Sequence, residues 1–78
     1  MAEQVPAVGS VLSLIERRDW VRLEQALDPV VHWTTAIEEQ LRGPAAVIEY
    51  LSRCPPPAAP AYHELLNGRM VRWIETPG

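Results

Sequence analysis

The sequence has few of the residues that small domains use as cross-links. It contains one cysteine, Cys54, in 78 residues, so an internal disulfide is impossible, and no Cys/His cluster has the spacing of a metal site. A chain of this length buries only ~60% of the surface that its unfolded form exposes, so its core is marginal. Oligomerisation commonly supplements such a core. We therefore expect a single domain over residues 1–78, without metal or cofactor.

Positive charge is also scarce. Lysine is absent, and seven arginines are scattered among ten acidic residues, which gives a net charge of −3. The absence of a basic stripe predicts no nucleic-acid binding. No apolar stretch approaches the ~20 residues that span a bilayer, and the first residues lack the pattern of a signal peptide. We expect no membrane association and a cytoplasmic location. The absence of lysine, together with eight prolines and many alanines, favours a GC-rich bacterial source.

Apolar residues recur at helical spacing in the first third of the chain. The positions i, i+3, i+4 and i+7 of one stripe are occupied by Val8, Val11, Leu12 and Ile15. This periodicity predicts a helix over 6–18. Asp19 is placed to cap a second helix by accepting backbone N–H bonds. Asp28-Pro29 is expected to end that helix.

The remaining segments favour strands around a third helix. Residues 30–35 are β-branched and aromatic, which predicts a strand, and 38–41 are a candidate short return strand. Gly43-Pro44 is expected to open a helix, with proline at its first position, and three prolines from Pro55 end it. Asn67-Gly68 predicts a type I′ hairpin turn. The expected fold is α+β, in the order α-α-β-β-α-β-β, with helices packed on a curved, mostly antiparallel sheet.

The predicted hairpin turn also sets a register between the runs 61–66 and 69–75. A two-residue turn pairs Tyr62 with Trp73, and the alternation of side chains then places Tyr62, Glu64, Trp73 and Glu75 on one face. Both faces of this hairpin mix polar and apolar residues. The pattern therefore leaves open which face points inward.

Four segments in this order resemble the SnoaL-like branch of the nuclear transport factor 2-like superfamily. They are Asp19-Trp20 between two helices, the run 27–33 into a strand, Leu41-Arg42-Gly43 before a helix, and the late strand 69–73. The resemblance implies a curved sheet wrapped around a helix to enclose an apolar pocket. Because members usually continue through two more strands, it describes a shortened member. Ketosteroid isomerases, polyketide cyclases, epoxide hydrolases and non-catalytic binders share this fold, so it does not determine the function.

The resemblance argues against an isomerase. Isomerase-like members use a carboxylate on the first strand as general base, and the matching position here is Thr34, which cannot serve as that base. The tyrosine donor of those members would fall near Val11, and a valine cannot donate a hydrogen bond in its place. We therefore expect no proton transfer of the ketosteroid type.

Four residues are candidates for other acid–base chemistry. His32 shares a face with Thr34 and is a candidate base near neutral pH; the alternative is a half-buried strand histidine that is hydrogen-bonded to a neighbour. Tyr50, together with Glu64 or Glu75, would assist it. The alternative for the two glutamates is a solvated outer face. Cys54 lies on an apolar stripe without a basic partner, which favours a structural role.

The aromatic residues indicate walls of a core or a pocket. The candidate ligand-binding residues are Trp20, Trp33, Thr34, Tyr62 and Trp73. The leading hypothesis is a domain that binds a small apolar or aromatic, polyketide-like molecule, or a cofactor-free cyclase, isomerase or hydratase related to such a binder. The alternatives are a non-catalytic dimerisation or interaction module, and a fragment of a longer enzyme.

The strand 69–75 raises the question of assembly. Without the family's last two strands it would have an open edge, and unpaired edges invite pairing with another chain. This predicts a homodimer through the edge at 69–75. The alternative is that 30–35 closes directly onto 69–75 within one chain.

Overall fold

Within residues 6–77, three helices pack on one face of a four-stranded sheet. The computed structural model of the chain describes residues 6–77. In chain order the elements are α1 (Pro6–Glu16), α2 (Trp20–Ala26), β1 (Leu27–Thr34), β2 (Gln40–Arg42), α3 (Pro44–Arg53), β3 (Tyr62–Leu66) and β4 (Arg69–Ile74). The predicted α+β class and the predicted order of elements are confirmed. None of the described helices is both long and apolar enough to cross a membrane.

Local chemistry sets the bend between the first two helices. α1 ends where Arg18 takes a positive φ of 59°, and the Asp19 carboxylate caps α2 by accepting from the backbone N–H of Arg22 at 3.3 Å. The Arg18 guanidinium donates to the carbonyl oxygen of Leu51, 3.1 Å away in the last turn of α3. The same carbonyl also accepts from the backbone N–H of Cys54 at 3.4 Å, and the bond from Arg18 fastens the bend to the end of α3.

The sheet has the strand order β2-β1-β4-β3, and it is mixed and uncurled, whereas a curved sheet was expected. β1 is antiparallel to β2 and parallel to β4, and β3 is antiparallel to β4. The predicted open edge at 69–75 is therefore wrong, because β1 and β3 pair with the two sides of β4. The alternative, direct closure of 30–35 onto 69–75, is the observed arrangement. Among the strands that the structure describes, β2 and β3 form the edges of the sheet.

The hairpin turn is as predicted, but the register beyond it is not. Asn67 and Gly68 have φ of 53° and 82°, as a type I′ turn requires. A bulge between Leu65 and Glu64 then shifts the pairing, so that Tyr62 lies opposite Ile74. The predicted pair of Tyr62 and Trp73 is wrong, because the bulge places one extra residue on β4.

The core lies between the sheet and the helices. Among the described residues its fully buried apolar members are Val11, Ile15, Leu23, Leu27, Val31, Trp33, Val47, Leu51, Met70 and Trp73. The face of the sheet that carries Trp33 and Trp73 is therefore its inner face. The bulge turns Glu64 to the opposite, outer face, while Glu75 stays inside at 7% exposure. The predicted common face for these two glutamates is thus wrong.

Candidate functional site

The sheet divides the predicted site residues into two groups. Trp33, Tyr50, Trp73 and Glu75 are on the inner side, whereas His32, Thr34, Tyr62 and Glu64 belong to the outer face. The backbone of the sheet separates the two groups, so His32 cannot exchange a proton directly with Tyr50 or Glu75. The assignment of these residues to catalysis or binding stays a prediction.

The ninth predicted site residue, Trp20, lies at the bend between α1 and α2. Its ring is half-buried and packs against the core, and the Arg18 guanidinium lies 5.6 Å above the ring centroid. This is the geometry of a cation–π contact. Because the same guanidinium also bonds to the end of α3, the geometry of Trp20 is that of a structural residue.

A buried carboxylate organises the inner group. Trp33 Nε1 donates to Oε2 of Glu75 at 2.8 Å, and the backbone N–H of Ala36 donates to Oε1 at 3.2 Å. The Tyr50 hydroxyl donates to the same Oε1 at 3.4 Å. A buried carboxylate is stable only when hydrogen-bond donors replace its hydration. Glu75 therefore joins the end of β4 to β1, to the turn after β1 and to α3.

Two stacked tryptophans lie at the centre of the inner side. The rings of Trp33 and Trp73 are 4.6 Å apart and inclined by 7°, and neither side chain is exposed. Trp73 Nε1 is buried and has no hydrogen-bond partner within residues 6–77. The rings fill space between the sheet and the helices, so in this structure they are core residues.

Tyr50 also lines a small open groove between β2 and α3. The groove has a volume of about 240 Å³ and is lined by Glu39, Leu41, Ala46, Glu49, Tyr50, Arg53 and Cys54. Burial and the neighbouring Glu75 carboxylate raise the pKa of Tyr50 to about 12. Tyr50 is therefore a hydrogen-bond donor at neutral pH. Glu49 forms an exposed ion pair with Arg53 at 3.0 Å.

The raised pKa of Tyr50 predicts a loss of stability in alkali. The neutral phenol is favoured in the folded state, so this contribution is intact below the ordinary pKa of 10.0 and is lost as the pH rises to about 12. Tyr50→Phe should flatten the fall of the melting temperature over this range. Thermal unfolding of both proteins at several alkaline pH values measures the effect. Parallel curves would show that Tyr50 does not titrate in this way.

The outer face carries two rows of side chains in register across the sheet. One row is Arg42, His32, Arg72 and Glu64, and the next is Gln40, Thr34, Ile74 and Tyr62. His32 is half-buried, and its Nε2 lies 3.0 Å from Oε1 of Gln40. Arg72 is 3.3 Å from Glu64, and both are about half exposed. Glu64 thus matches the alternative of a solvated outer face.

A larger groove lies on this face, at the start of β1 and the end of β2. It has a volume of about 560 Å³, is open to solvent, and is lined by Pro29, Val30, His32, Arg42 and Gly43; we call it the β1–β2 groove. Arg42 was not among the predicted site residues. The signal that would have found it is the antiparallel return strand, whose register places Arg42 opposite His32. Within residues 6–77, no cluster of three or more His, Cys, Asp or Glu side chains is placed to hold a metal ion.

Comparison with known proteins supports the fold. No protein-family model matches the chain, and no curated protein matches it significantly. Among solved structures, it is similar to an NTF-2-like protein of unknown function from Burkholderia xenovorans LB400, with a TM-score of 0.65 and 12% identity. The match covers 94% of this chain and 82% of that chain. The chain therefore has the NTF-2-like fold, which confirms the predicted resemblance at the level of fold.

Proposed function

We propose that this chain binds a small apolar or aromatic molecule in the β1–β2 groove. The observation that carries the proposal is the groove itself, whose volume of about 560 Å³ lies in the ~300–1,000 Å³ range of small-molecule sites. Pro29 and Val30 supply apolar surface, and His32 and Arg42 supply polar groups. This mixture is the usual composition of such sites.

The same geometry favours binding over catalysis. The residues in register with His32 are Arg42 and Arg72, which offer no carboxylate to orient the imidazole as a base, and its Nε2 is engaged with Oε1 of Gln40 at 3.0 Å. The predicted helpers Tyr50 and Glu75 hydrogen-bond to each other on the inner side. We therefore propose a binding role for His32 in place of the predicted role as base.

A neutral aromatic probe, naphthalene carboxamide, tests the proposal by NMR titration. The backbone amides of Val30, His32 and Gly43 should shift. Val30→Ser should weaken binding by about three- to tenfold, since it removes apolar contact area. Val21→Ser is a matched control, because Val21 is 70% exposed and Val30 is 71% exposed but Val21 lies on α2. Shifts confined to α3 and β4 would reject the groove as the site.

As a second proposal, we infer that the chain forms a homodimer. Because β4 is not an edge strand, the dimer would form through β3. β3 is an edge of the sheet, and Tyr62, Leu65 and Leu66 are 47%, 43% and 47% exposed. Residues 62–66 contain no lysine or proline, the residues that commonly protect an edge strand. The β1–β2 groove lies at the opposite edge of the sheet from β3, so a dimer through β3 would leave the groove open to a ligand.

Light scattering after size-exclusion chromatography tests the dimer. The chain has a mass of 8.8 kDa, and we expect twice this mass at micromolar concentration. Leu66→Lys should restore the monomer, because a charge on the edge opposes pairing. Val21→Lys, at an exposed site on α2, is the control and should leave the dimer intact. A monomer for the unmodified chain would reject the proposal.

A further inference from the structure

Within residues 6–77, no acidic side chain balances the positive charge of Arg42 in the β1–β2 groove. In the row that crosses the sheet, Arg72 is neutralised by Glu64 at 3.3 Å. No acidic side chain of residues 6–77 comes within 4.0 Å of the Arg42 guanidinium to form an ion pair. His32, directly opposite Arg42, has the amide of Gln40 as its polar neighbour. The groove therefore combines an apolar wall with a cation that has no ion-pair partner among the described residues, although the whole chain is acidic.

The start of α3 adds to the positive charge of the groove. Gly43 is the N-cap of this ten-residue helix and lines the groove, and no side chain caps the first turn. Uncapped N–H groups carry the positive end of the helix dipole. This feature alone would not define a site. Beside Arg42, however, the start of α3 increases the positive electrostatic potential at one end of the groove.

We propose that the ligand of the β1–β2 groove is a small aromatic or apolar carboxylate, bound through Arg42. This rests on the proposed function of the groove and names the chemical class of its ligand. The planar guanidinium fits a carboxylate in a bidentate arrangement. The apolar body of the ligand would lie on Val30 and Pro29, with the His32 ring, held by Gln40, on the other side.

Two probes of the same shape, one charged and one neutral, distinguish the contribution of charge to the binding affinity from that of apolar contact. Naphthalene carboxylate should bind about five- to tenfold more tightly than naphthalene carboxamide, as expected for one partly exposed charge-assisted interaction. Arg42→Gln should remove this difference, because it removes the charge that favours the carboxylate over the carboxamide. Arg53→Gln is the control, because it removes the same charge from an exposed ion pair in the other groove. Added salt should weaken carboxylate binding only.

The outcomes distinguish the two proposals. If both probes shift the groove amides with equal affinity in the unmodified chain, the groove is a binding site and the carboxylate inference is wrong. If neither probe shifts them, both proposals fail. Acetate is the third arm: binding as tight as that of naphthalene carboxylate would show a simple anion site and overturn the requirement for an apolar body.

Discussion

Replacing Glu75 with alanine is expected to destabilise the fold by about 3 kcal/mol, because a buried donor on Trp33 and a part-buried donor on Ala36 are left without an acceptor, at ~1–3 kcal/mol for each. Trp33 Nε1 and the backbone N–H of Ala36 lose their only partner among the described hydrogen bonds. For a domain of this size, such a loss lowers the melting temperature by roughly 12–24 °C. Thermal and urea unfolding measure it.

Two variants make this result specific. Glu64→Ala removes the same side chain from an exposed pair with Arg72 and should change stability by less than ~1 kcal/mol. Glu75→Gln keeps one acceptor oxygen, so its effect should lie between those of the two alanine variants. Equal losses for Glu64→Ala and Glu75→Ala would show that the buried carboxylate does not organise the inner side.

The two stacked tryptophans are expected to respond differently to the same substitution. Trp33→Phe removes a 2.8 Å hydrogen bond to a buried carboxylate, whereas Trp73→Phe removes a buried N–H that has no partner in the described part of the chain. Both changes remove similar volume from the core. Trp33→Phe should therefore cost about 2 kcal/mol more than Trp73→Phe, the typical worth of a hydrogen bond to a charged group.

Urea unfolding at neutral pH compares the two tryptophan variants directly. Each has a single, equally buried ring replaced, so the difference between their free energies of unfolding isolates the hydrogen bond. A larger loss for Trp73→Phe would mean that Trp73 Nε1 has an acceptor in solution. It would also weaken the description of Trp33 as the main donor to Glu75.

The sequence predicted the elements well because local signals specify them. The apolar stripe predicted α1, Gly43-Pro44 predicted the start of α3, and Asn67-Gly68 predicted the turn of the hairpin. The start of β1 at Leu27 was not predicted, since a leucine at helical spacing also fits α2. The parallel pairing of β1 with β4 was not predicted either, because it depends on the closure of the whole chain.

The candidate site was less predictable, because the positions of its residues also depend on how distant strands pair. The alternation of side chains correctly put Trp73 and Glu75 on one face, but the bulge in the hairpin moved Tyr62 and Glu64 to the other. A bulge adds one residue and has no clear sequence signal here. The position of Arg42 opposite His32 depends on a three-residue strand, which is too short to give a clear alternating pattern.

The most direct test of the binding account is a crystal structure of the chain with naphthalene carboxylate. We expect the ring to lie on Val30 in the β1–β2 groove, with its carboxylate within hydrogen-bonding distance of Arg42. The stacked rings of Trp33 and Trp73 should stay in place. A ligand between the sheet and the helices, with these rings displaced, would contradict the account and place the binding site on the inner side.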